Sequence, residues 1–252
     1  MDQLVTPGSS TAAHVDKLLV ALDVPTATEA LSLAERLHGV TGGLKIGSRL
    51  FTSEGPDFVR SLSRDGARVF LDLKFHDIPN TVATAVSAAT SLGVWMVNVH
   101  ASGGTRMMQA ARDAAGETAA RKGVTPPIVI AVTVLTSMTA ATLSETSVEL
   151  PVLDQVVRLA QLAQAAGLDG VVASPRETAI IRARSGPDFS IVTPGIRGGT
   201  ARTGKDDQER TMGPAEAVAA GASYIVVGRP IIAAADPRAA AEEIAKEMGG
   251  RR

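Results

Sequence analysis

Short, almost unbroken apolar runs rich in β-branched residues recur along the chain: LLVALD (18–23), LKIG (44–47), VFLDLK (69–74), MVNVH (96–100), IVIAVTV (128–134), GVVAS (170–174), IVTPGI (191–196) and YIVVG (224–228). Between them lie stretches with apolar residues at helical spacing, such as TATEALSLAERLHG, TVATAVSAATSLG, LDQVVRLAQLAQAAG and PRAAAEEIAKEMGG. Several end in glycine, the usual residue just past a helix C-terminus. Strands that are apolar throughout have both faces buried, as in a parallel sheet covered by helices. Eight such β/α units in 252 residues predict an α/β fold, a single (β/α)8 TIM barrel with a parallel eight-stranded core. An open doubly wound sheet is the competing architecture. It is disfavoured because no G-x-G-x-x-G follows the first run and no P-loop sequence occurs. Without a linker or composition shift, the expected organisation is a polar N-terminal arm over 1–17 and one barrel catalytic domain over 18–252.

Composition narrows the chemistry. The chain lacks cysteine, which removes disulfides, thiolate metal sites, iron–sulfur clusters and thiol nucleophiles. With 25 basic against 26 acidic side chains, it lacks the basic excess that nucleic acid or an anionic membrane rewards, so neither is expected as a partner. No apolar run approaches the about 18 residues of a transmembrane helix, and MDQLVTPGSSTAAHVDK carries no basic-then-apolar signal pattern. A cytoplasmic location is the expectation.

In a barrel, catalytic side chains sit at the C-terminal ends of the strands. Those ends are charged here: Asp23 closes the first run, Lys45 lies in the second, Asp72 and Lys74 close the third, and His100 closes the fourth. Only six lysines occur against nineteen arginines, and two of the six interrupt apolar strands. A buried lysine needs a carboxylate partner. Asp72 and Lys74, two apart, project from one face of their strand, and Asp77 follows in the next loop, DLKFHDIPNT (72–81). A purely structural ion-pair network is the alternative; so much desolvated charge at one end of successive strands favours a functional site.

The residues LDLKFHDIPNT, together with LLVALDVPT, LKIGSRLF, VNVHASGG, VTVLTS, VTPGIR and IVVGRPI, resemble the orotidine 5′-phosphate decarboxylase family, in the family's order from about residue 18 to about 245. The resemblance implies cofactor-free decarboxylation of orotidine 5′-phosphate to uridine 5′-phosphate, the last step of de novo UMP synthesis. It makes Lys74 the proton donor to C6 of the pyrimidine, within an alternating array of Lys45, Asp72, Lys74 and Asp77. It further implies that Asp23 binds the ribose, Thr136 reads the pyrimidine edge, and Arg197, Gln208, Gly228 and Arg229 serve the lid and phosphate. Asp77, with Thr81, is implied to reach into the site of a second subunit, making a homodimer with shared active sites. The polar stretch RGGTARTGKDDQER (197–210) has no core-forming pattern and is expected to act as a lid.

The chemistry is consistent with that transfer. Loss of CO2 leaves an electron pair on a vinylic carbon with no carbonyl sink, so the barrier reduction must approach the upper part of the about 8 to 23 kcal/mol that enzymes achieve. A fixed ammonium can stabilise that charge and then supply the proton, and carboxylate neighbours favour its charged form. No metal is expected: His76 and His100 form neither a helical pair nor a Glu-x-x-His arrangement. Met107, Met108 and Trp95 read as packing residues. Two other functions compete. One is a magnesium-dependent sugar-phosphate decarboxylase or aldolase of the same superfamily, which Lys45 opposes by repelling a divalent cation. The other is a noncatalytic nucleotide-binding barrel, which would have no need of the charged array.

Overall fold

The computed structural model describes residues 14–196 and 212–250. The expected lid at 197–210, with Arg197 and Gln208, lies outside the described residues, as do residues 1–13 of the expected arm.

The strands are β1 (Leu18–Ala21), β2 (Gly43–Gly47), β3 (Val69–Phe75), β4 (Met96–His100), β5 (Ile128–Val132), β6 (Gly170–Val172), β7 (Ser190–Thr193) and β8 (Tyr224–Val227). They close into a barrel in sequence order, each parallel to its neighbours, with β8 returning to β1. The principal helices outside the barrel are α1 (Ala27–Leu37), α2 (Ser48–Arg64), α3 (Pro79–Ser91), α4 (Gly104–Lys122), α5 (Ala140–Ser144), α6 (Val152–Ala165), α7 (Pro175–Ser185), α8 (Pro214–Ala219), α9 (Arg229–Ile232) and α10 (Pro237–Met248). Local signals fix their ends. Thr26 and Asp236 cap α1 and α10 with side-chain oxygens, and left-handed Gly123 follows α4. In α2, Gly55 (φ 74°) before Pro56 breaks the helical path into two segments.

Strand alternation divides the apolar residues into two layers. Leu18, Val20, Leu44, Ile46, Val69, Leu71, Val97 and Val99 are buried in the core shared with the helices. Leu19, Ala21, Phe70, Met96, Ile130, Val192 and Val226 fill the barrel interior. Trp95 and Tyr224 pack below them edge to face, centroids 5.3 Å apart, with the Arg68 guanidinium 3.9 Å over the Trp95 ring. Met107 and Met108 are buried, as their packing assignment requires.

Arg182 of α7 ties this N-terminal end of the barrel together. Its Nη1 donates to the carbonyls of Gly186, Pro187 and Phe189, its Nε and Nη2 to that of Gly221, and its Nη2 also to Ser223 Oγ. Arg182→Ala leaves those acceptors without their donor and should destabilise the fold by about 2–3 kcal/mol. The melting temperature should fall by roughly 5–10 °C for a domain of this size. Turnover per folded molecule should be unchanged; calorimetry with a parallel assay tests both statements.

Candidate active site

The interior positions change character along each strand. On β2 and β3, Gly43, Lys45 and Gly47 face inward beside Phe70, Asp72 and Lys74; on β4, Met96 is followed at the same parity by Asn98 and His100. Apolar residues therefore close the lower interior, and the next inward positions carry the charge.

Three of the four residues expected in the array meet within this chain. Lys74 Nζ donates to Asp72 Oδ1 at 2.6 Å, and Lys45 Nζ lies 3.2 Å from Asp72 Oδ2. One carboxylate thus holds two ammonium groups. The side chains of Asp72 and Lys45 retain 12% and 17% of their exposure, whereas Lys74 retains 37%, making it the more open of the two ammonium groups. Burial alone would raise the Asp72 pKa, but Lys45, Lys74 and hydrogen bonds from Lys74 and Asn98 reverse that effect and hold the carboxyl below its usual range. Gly47 makes room for this pairing: a Cβ there would stand 3.3 Å from Lys45 Nζ.

Lys74 also has an unusual backbone. It has φ 53°, a region that among the described non-glycine residues only Ser147 shares. Such a conformation costs about 1–3 kcal/mol unless its surroundings hold it. The β3–β4 ladder shifts register here: Leu71 pairs with Val97 but Phe75 with Val99. The intervening segment, Asp72 to Lys74, leaves regular pairing, which aims the lysine side chain.

The fourth member of the array stands apart. Asp77 is exposed in the loop after β3, its Oδ1 accepts the Ile78 N–H at 2.6 Å, and it makes no ion pair with a described residue of its own chain. Ile78 beside it is 66% exposed, and Thr81 in the first turn of α3 is also exposed. Asp23 falls just past β1, two residues beyond the strand end, and lies 3.7 Å from Arg49 on the surface. The first run therefore stops pairing earlier than its apolar pattern indicates, because Asp23 N–H turns back to the Ala21 carbonyl. Thr136 is half-buried in the turn after β5. Gly228 precedes α9, its carbonyl accepting from Ile231 and Ile232, and Arg229 opens that helix.

His76 and His100 face each other with ring centroids 5.5 Å apart. Among the described residues no three His, Cys, Asp or Glu side chains gather as a metal site would require. Burial, then His76 and Lys74, lower the His100 pKa against the opposing pull of Asp72. The folded chain therefore binds fewer protons at His100 than the unfolded chain below the ordinary histidine pKa of about 6.5. Its contribution to stability is complete above that pH and is lost as pH falls through the depressed folded value. Melting temperatures should drop through this window, and His100→Gln should flatten that part of the profile. Parallel slopes for the two proteins would exclude the assignment.

Sequence reasoning missed Asn98, although a signal existed: in MVNVH it shares the inward parity of Met96 and His100, and it is fully buried.

A closed parallel barrel with cations gathered around a carboxylate at its C-terminal mouth defines an enzyme suited to stabilising negative charge on a bound substrate. Residues 16–244 match the model of the orotidine 5′-phosphate decarboxylase / HUMPS family, and the chain belongs to that family. It is 53% identical over 92% of its length to the orotidine 5′-phosphate decarboxylase of Syntrophotalea carbinolica, covering 94% of that protein. It is 54% identical to the enzyme of the same name from Moorella thermoacetica, covering 92% of each chain. The crystal structure of the Lactobacillus acidophilus orotidine 5′-phosphate decarboxylase superposes with a TM-score of 0.81 at 38% identity, over 91% of this chain and 97% of that one.

Proposed function

We propose that the chain decarboxylates orotidine 5′-phosphate to uridine 5′-phosphate, completing de novo UMP synthesis without a cofactor. The observation that carries this reading is the convergence of Lys45 and Lys74 on Asp72 in a member of this family. The bond from C6 to the carboxylate breaks, CO2 departs, and the electron pair stays on C6. The Lys74 ammonium stabilises that pair and then gives its proton to C6; solvent reprotonates the amine. Asp72, itself paired with Lys45, holds Lys74 in place. Asp23 binds the ribose, Thr136 the pyrimidine edge, and Gly228 and Arg229 the phosphate. Arg197 and Gln208 belong to the proposed lid, whose closure would use remote binding energy to organise the reacting end.

The working unit in this proposal is a homodimer, in which Asp77 and Thr81 serve the partner's site. The exposure of both residues, and the pairing of Lys45 and Lys74 with Asp72 rather than with Asp77 of their own chain, support that arrangement. A cytoplasmic location without nucleic-acid or membrane partners completes the reading. No described helix is long and apolar enough to cross a membrane. The magnesium-dependent alternative is not favoured, because the Lys45 ammonium stands 3.2 Å from the carboxylate a divalent ion would need.

Loss of orotidine 5′-phosphate absorbance on adding purified protein, with orotate as control, tests the reaction. Turnover should persist after exhaustive chelation. Absence of turnover on orotidine 5′-phosphate would overturn the reading, and activity restored by magnesium would transfer the chain to the rival chemistry.

A further inference from the structure

The side chain of Asn98 forms a closed circuit with the two central residues of the site. Its Oδ1 accepts the backbone N–H of Lys74 at 2.8 Å, and its Nδ2 donates to Asp72 Oδ1 at 2.7 Å. The same Oδ1 of Asp72 receives Lys74 Nζ. Lys74 is therefore tied at both ends, backbone and ammonium, through two neighbouring side chains. The orientation of the amide is fixed by chemistry: a backbone N–H can only donate and an ionised carboxylate can only accept, so oxygen faces Lys74 and nitrogen faces Asp72.

The circuit lies where the strand ladder fails. Between the pairs Leu71–Val97 and Phe75–Val99, β3 has three intervening residues and β4 has only Asn98. The amide side chain supplies the acceptor that ladder pairing cannot give Lys74, in the segment where Lys74 adopts φ 53°. Asn98 is fully buried, so water does not readily replace it.

We propose that Asn98 is a positioning residue for decarboxylation: its amide holds the left-handed backbone of Lys74 and the Asp72 carboxylate in one register, fixing where the reactive ammonium points. This inference rests on the assignment of Lys74 as proton donor. It predicts a defect in the chemical step rather than in affinity, because no part of Asn98 is required to touch the substrate.

Asn98→Val and Asn98→Thr have nearly the same shape and both suit a strand, but only Thr retains a hydroxyl able to accept from Lys74 and donate to Asp72. Asn98→Val should lose about 100-fold in kcat, the scale of a misplaced reacting group, with KM within about threefold of wild type. Asn98→Thr should recover most of that loss. Rates are expressed per folded site, counted by UMP binding in calorimetry. If Asn98→Val does not fold, Asn98→Ala against Asn98→Ser makes the same comparison. Equal kcat for the hydroxyl and apolar variants, whether both are high or both low, would overturn the positioning role. Lys74→Ala measured alongside separates the two claims: if it retains turnover, the proton-donor assignment fails; if it is inactive while Asn98→Val is unimpaired, only the role of Asn98 fails.

Discussion

Lys74→Ala is expected to lower kcat by ~10^4-fold or more, since it removes both a charge aimed at the carbanion and the acid that quenches it, effects of about 10^2–10^3 and 10^2–10^4 in other enzymes. Binding should suffer much less, because the ribose and phosphate contacts assigned to Asp23, Gly228 and Arg229 do not involve this side chain. The fold should persist. Removing Lys74 deletes one of two cations on Asp72, and Lys45 remains 3.2 Å from the carboxylate to offset its burial. Single-turnover decarboxylation and UMP titration on the same preparation check both halves. Retention of a substantial part of wild-type kcat would remove Lys74 from the proton-donor role.

The second large effect concerns the division of the site between subunits. Neither Lys74→Ala nor Asp77→Ala chains should be active alone. In a mixed dimer, two-fold symmetry collects both lesions in one site and leaves the other native. Random assembly makes about half the dimers mixed, each with one intact site of two, so about a quarter of wild-type site activity should return on co-expression. Differently tagged chains allow the mixed species to be isolated and assayed. Confirmed mixed dimers with no activity above either parent would place Asp77 in its own chain's site.

The barrel was legible because the strands are short, almost unbroken apolar runs, and the inward parity of Lys45, Asp72 and Lys74 follows from their spacing on those strands. The left-handed backbone at Lys74 was not. Such a conformation usually announces itself with glycine, whereas here it is held by Asn98, 24 residues away in the sequence. The termination of β1 at Ala21 was similarly hidden: Leu22 N–H still donates to the Lys45 carbonyl, and only at Asp23 does the N–H turn back, to the Ala21 carbonyl. Arg182 carried no sequence signal: all but one of its acceptors, Ser223 Oγ, are carbonyls, which every residue possesses.

The sharing of one aspartate by two lysines leaves that three-residue cluster with an odd count of charges, two positive and one negative. A subunit standing alone would offer this surplus to any small anion in solution. In the proposed dimer the partner's carboxylate restores neutrality before substrate arrives. Under that proposal assembly would act as a charge filter: it would discourage simple anions from lodging beside Lys74 and reserve the pocket for a ligand whose distant phosphate supplies enough binding energy to bring its own carboxylate into that balanced field.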